Sequence, residues 1–228
     1  MSKTPVSTPV SKARRSFSAS IAAAAFGGVA MAQVKQPAST AWTPARHEKD
    51  DWLDQIPGKH RMVFDSITPE TLGDSLLFSG NFIKVNKSDY GLESNDLALV
   101  VVMRHLSTPF GFNDAMWAKY GTAMAKTAGF EDPKTKTAPK TNLYNSGGYG
   151  TQLHNYGTTL DSLAKQGVQF GVCSMAGHKV AGDIATAVNG NADAIFTELT
   201  ANLIAGARMV PAGILIVNRA QERGYALA

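Results

Sequence analysis

Cysteine is almost absent from this chain: Cys173 is the only one in 228 residues. No intramolecular disulfide can form, so the thiol is an inert core group, an intermolecular bridge or a reactive nucleophile. Closely spaced metal ligands are missing as well. His105, His154, His178 and Cys173 contain no C-x-x-C or H-x-x-x-H pair, and no metal site is expected from them. The glycine-rich stretch 146–150 lacks the Lys of a phosphate-binding P-loop and reads as a flexible loop. Long apolar runs are missing too. The N-terminal candidate, residues 17–32, has only about 16 residues and is dominated by Ala and Gly, too short for a standard membrane span.

Acidic residues are absent before Glu48, whereas Lys3, Lys12, Arg14 and Arg15 make the start basic. The apolar run that follows ends in Ala30-Met31-Ala32, the small-x-small pattern of a signal-peptidase site, with cleavage expected before Gln33. Residues 11–17, Ser-Lys-Ala-Arg-Arg-Ser-Phe, resemble the twin-arginine signal, and the weak hydrophobicity suits that route. Residues 1–32 are therefore expected to be a twin-arginine signal peptide and the protein to be periplasmic, with no stable membrane span after cleavage. Four of the 22 Lys and Arg lie in this segment, which leaves 18 against 18 Asp and Glu. The net charge of +4 belongs to the signal, and a nucleic-acid partner is not expected.

Residues 33–58 are polar, contain proline and lack periodicity, as an extended arm or linker would. From residue 59 to 228 the chain reads as one α/β domain. Residues 61–67 alternate as a strand. Thr68 and Pro69 supply the cap and first position of a helix running to about Val85. Residues 97–103 are unbroken Leu, Ala, Val and Met, the pattern of a strand buried on both faces of a parallel sheet. Asn113 and Asp114 start a helix that Gly129 ends. Residues 130–150 have no period and suggest a lid, a partner loop or disorder. A short helix over 159–166, a strand over 168–173 and helices over about 177–188 and 191–204 follow. A short strand over 208–210, a turn at Pro211-Ala212-Gly213 and a helix over 214–223 complete the alternation.

Cys173 is the most informative position. It falls at the carboxyl end of a buried strand just before a helix, the edge where open parallel sheets bind ligands. A helix N-terminus there favours a thiolate. His105 ends the 97–103 strand and is expected on the same sheet edge, able to hold a thiolate or exchange a proton. His178 lies in the helix after Cys173 and is a weaker candidate, His154 weaker still. The aromatics Phe110, Phe112, Trp117 and Tyr120 read as core and interface residues.

Gly167-Val168-Gln169-Phe170-Gly171-Val172-Cys173 resembles the strand that carries the cysteine in DsrE/DsrF-like sulfur-relay proteins. The resemblance continues at Val210-Pro211-Ala212-Gly213 and through the ending Asn218 to Tyr225, and covers most of residues 60–228. It implies a single three-layer domain with a mostly parallel sheet of about five strands flanked by helices. It also implies homo-oligomers, and a persulfide on Cys173 exchanged with a sulfur donor or acceptor protein. Two functions are therefore expected in competition, with a metal-dependent redox protein as a third option. One is an exported sulfur carrier acting through Cys173 with His105; the other is a non-catalytic periplasmic ligand-binding or assembly module with the same fold. No cofactor is indicated by any motif.

Overall fold

The strand that reads as fully apolar forms the centre of the sheet. β2 (Leu97–Met103) is buried at every position. It lies between β1 (His60–Ser66) and β3 (Gln169–Cys173), with β4 (Ala207–Val210) beyond β3 and β5 (Ala226–Leu227) beyond β1. The order is β4-β3-β2-β1-β5, and every pairing is parallel. The computed structural model describes residues 42–228. The expected signal peptide and the first part of the expected arm lie outside the described residues.

Handedness then distributes the helices. Passing from β1 to β2, β3 and β4, the chain steps in one direction, and right-handed crossovers put the connecting helices on one face. These are α2 (Pro69–Tyr90), α3 (Asp114–Ala128), α4 (Leu160–Ala164), α5 (Ser174–Val188) and α6 (Ala192–Ala201). Their buried side chains form one large apolar cluster with Phe64, Leu99, Val101, Met103, Phe170 and Val172 from the strands. From β4 the chain returns across the sheet to β5, and α7 (Gly213–Gln221) falls on the opposite face. There Ile216, Val217 and Ala220 pack with Val63, Ala98, Val100, Val102 and Val210 in a smaller cluster. Helices on both faces of one parallel sheet make the three-layer α/β domain.

Local chemistry fixes the long helix α2. Thr68 and Thr71 close a capping box, Pro69 takes the first turn, and Gly91 ends the helix in the left-handed region at φ 67°. Other boundaries differ from the sequence reading. The expected arm does not extend to Gly58: Pro44 to Ala228 form one compact unit, and α1 (Trp52–Gln55) sits on the α7 face with Trp52, Leu53 and Ile56 buried. A four-residue helix makes one turn, so it has no period to detect. An ion-pair belt binds this segment to α7: Arg223 Nε meets Asp54 at 3.1 Å and Arg219 Nε meets Asp50 at 3.5 Å. Tyr225 Oη donates to Leu53 O at 2.7 Å.

The aperiodic segment after α3 is anchored at several points. Asn142, buried, donates to the carbonyls of Phe110 and Phe112 at 2.8 and 3.1 Å. Tyr144 donates to Pro69 O across 75 residues of sequence. Buried Asp132 accepts from Tyr149 Oη at 2.7 Å. Gly121 is required where this segment crosses α3, since a Cβ there would lie 2.2 Å from Pro139 O. These anchors hold the segment against the helices, so it is part of the wall rather than a free loop.

Candidate functional site

Cys173 pairs with Val210, and both end their strands at the carboxyl edge of the sheet. β3 leaves this edge into α5 on the larger face, whereas β4 leaves through Pro211-Ala212 into α7 on the other. Adjacent strands whose connections depart in opposite directions leave a crevice between them, the position where open α/β sheets bind ligands. Strand alternation sets the side of the thiol. Val172 belongs to the larger cluster, while a Cβ on Gly171 would meet Val210 and Ile216 of the smaller one. Cys173, two residues after Gly171, therefore shares the α7 face. It is 7% exposed, a covered thiol close to the surface.

The next strand brings a cation to the same place. Met103 pairs with Val172, so Arg104 follows β2 level with Cys173 and, by alternation, on the same face. A Cβ on Gly213 would lie 2.6 Å from Arg104 Cβ, which sets the arginine stem against the first turn of α7 and leaves room there only for glycine. Arg104 Nε and Nη2 donate to Asp65 Oδ1 and Oδ2, both at 2.7 Å, a bidentate pair one strand further on. The pair is three-quarters buried, with side-chain exposures of 27% and 20%. The guanidinium pKa is raised, first by the hydrogen bond to Asp65 and, in smaller part, by the charge of Cys173, against an opposing effect of burial. Neither Arg104 nor Asp65 was singled out from the sequence. The available signal was a second charge, beside Arg61, on the Val63 face of β1 and another charge directly after β2.

Two helix N-termini open onto this edge without side-chain caps. Cys173 itself is the N-cap residue of α5 and Ala212 that of α7, and neither side chain bonds to the helix. Thr68, Asn113, Thr159 and Asn191 do cap α2, α3, α4 and α6. The expected start of α5 near residue 177 is thus three residues late, and the correction puts the thiol at the helix end itself. Met175 and Ile214, in the first turns of α5 and α7, are exposed.

The histidines divide. His105 is on the expected edge, exposed, with a backbone in the left-handed region at φ 57°. That conformation turns the chain out of β2 into the 3-10 segment His105–Gly111. His178 is not brought to the thiol: its ring stacks on Phe196 of α6 at 3.6 Å. His154 bonds to Asp74 of α2 through Nδ1 at 3.2 Å. Trp117 is fully buried and packs on Phe110, with ring centroids 5.2 Å apart. Among the described residues no group of three or more His, Cys, Asp or Glu is placed to hold a metal ion, and no helix is long and apolar enough to cross a membrane.

The fold and edge together define an α/β protein with a thiol, a guanidinium and a carboxylate at a topological switch point. No family model matches the chain, and no curated protein matches it. Among solved structures, it is similar to a protein of unknown function from Methanobacterium thermoautotrophicum. The two are 18% identical, with a TM-score of 0.35, over 75% of this chain and 98% of that one.

Proposed function

We propose that this protein is an exported DsrE-like sulfur carrier that holds sulfane sulfur on Cys173. The observation that carries the reading is the position of Cys173, at the β3–β4 switch point and at the uncapped N-terminus of α5. The step is a sulfur transfer between thiols. The Cys173 thiolate attacks the terminal sulfur of a donor persulfide, R–S–SH, and a new S–S bond forms on Cys173 as the donor's S–S bond breaks. The donor leaves as R–S−, which takes up a proton, and no external oxidant is consumed. Partial positive charge at the helix end favours the thiolate that attacks and the persulfide that results.

Intact mass of the mature protein, isolated from the periplasm with and without reductant, tests this. A mass increment of whole sulfur atoms, removed by reductant and absent in Cys173→Ser, is the expected result. Mature protein that stays unmodified after incubation with a persulfide donor would overturn it. The 7% exposure of Cys173 favours the second reading, a binding or assembly module in which the thiol only fills space. On that reading Cys173→Ser leaves function intact, and the thiol resists alkylation until the protein unfolds.

A further inference from the structure

We infer that Arg104 is the charge partner of the sulfur group on Cys173 and that Asp65 sets how much of that charge the sulfur feels, so that the cargo is held as an anion. The inference deepens the carrier reading and rests on it. Arg104 stands one strand from Cys173 and Asp65 two, all three on the α7 face. The spacing orders the effects: the nearer cation attracts an anionic sulfur more than the farther carboxylate repels it. Asp65 takes only Nε and Nη2 of the guanidinium, and Nη1 has no protein partner among the described residues. A guanidinium with one nitrogen uncommitted can serve a second anion while the first holds its plane fixed. Gly213 leaves space for this stem between α7 and the sheet. Other charged groups near this edge are His105, exposed after β2, and Arg46, His47, Glu48, Lys49 and Asp50, which line a cavity with Pro211, Leu215 and Arg219; neither α5 nor α7 carries an acid in its first turn. Arg219 of α7 is turned to Asp50 and Glu222.

This arrangement makes Arg104 and Asp65 positioning residues of opposite sign, which a merely structural ion pair would not be. The test measures the thiolate fraction at neutral pH in the full mature chain. It is read as the far-ultraviolet absorbance lost when Cys173→Ser is added to each background. Arg104→Gln should lower the ratio of thiolate to thiol about tenfold, the scale on which a neighbouring cation acts. Arg104→Lys should restore most of it. Asp65→Asn should raise it, because the cation is no longer partly cancelled. Movement in the same direction for Arg104→Gln and Asp65→Asn would mean that both only disorder the edge, and would overturn the inference. No change in Arg104→Gln would overturn it too. Should Arg104→Gln fail to fold, Asp65→Asn decides alone, since a fall or no change contradicts the proposal. Sulfur loading is not part of this readout. A protein with opposite-signed shifts that takes up no sulfur retains the Arg104 assignment and loses the carrier reading.

Discussion

The two faces of the sheet are built differently. The larger face is a thick apolar layer under five helices, and the segment between α3 and α4 is fastened to it through Asn142, Tyr144 and Asp132. The smaller face has only α1 and α7. Its apolar cluster is framed by ion pairs: Asp50 with Arg219, Asp54 with Arg223, and Asp65 with Arg104. Burial of apolar area is non-directional and tolerates any group of the right size, so it makes a rigid wall. Buried charges must be matched one to one, so they fix particular side chains in particular places. Cys173 lies on the thin, charged face, beside the pair that holds Arg104. The aperiodic segment after α3 belongs to the wall, and residues 48–56 of the expected arm close the layer that contains the thiol.

This contrast can be broken by experiment. The largest effects should come from equal cuts on the two faces. Leu76→Ala on the larger face and Ile216→Ala on the smaller one remove fully buried side chains, and each should cost about 2–5 kcal/mol of stability. Only Ile216→Ala should speed alkylation of Cys173 in the native state; equal acceleration in both would show that the faces act as one. Next in size, Arg223→Met cuts the belt on residues 51–54, where Arg223 is fully buried and Asp54 is half-exposed. The loss in denaturant unfolding should be about 1–2 kcal/mol, and proteolysis should begin between residues 44 and 58 rather than in 130–158.

The smallest effect is a pH dependence of the wall segment. Burial pushes the Asp132 carboxyl up, but hydrogen bonds from Tyr149 Oη and the N–H groups of Lys134 and Thr135 outweigh it and leave the pKa below its ordinary value. A depressed carboxyl contributes stability above its unfolded value and loses it as the pH falls through the folded one. Hydrogen exchange in residues 132–149 should therefore accelerate from about pH 4 downward. Tyr149, pushed up to about 12 by burial and by Asp132, stays protonated throughout.

Legibility in the sequence follows the range of the interactions. β2 was readable because seven consecutive apolar residues admit one environment. The start of α2 and both ends of α3 were readable because Thr68, Pro69, Asn113 and Gly129 act within one turn of their own positions, whereas α2 runs to Tyr90, past the expected end near Val85. α1 and β5 were not, having four and two residues respectively, too few for either period. Asn142 and Tyr144 gave no sign of their anchoring role, since their partners lie about 30 and 75 residues away.

The candidate site divides in the same way. Cys173 could be found from the sequence, because a single thiol at the end of an apolar strand is a local pattern. His105 could be assigned to the same edge once both strands were taken as parallel. Arg104 and Asp65 could not, since 39 residues separate them and only the register of β1 on β2 brings them together.

By itself, the sequence determined the α/β alternation, the buried central strand and the thiol at a strand end, all of them consequences of side-chain periodicity and local capping. Only the tertiary structure decided that α7 crosses to the opposite face, so that the connections of β3 and β4 diverge at Cys173. It alone decided that Arg104 and Asp65 meet there, and that His178 turns to Phe196 instead. Those outcomes depend on strand order and register, which are set by the packing of the whole sheet rather than by any one segment.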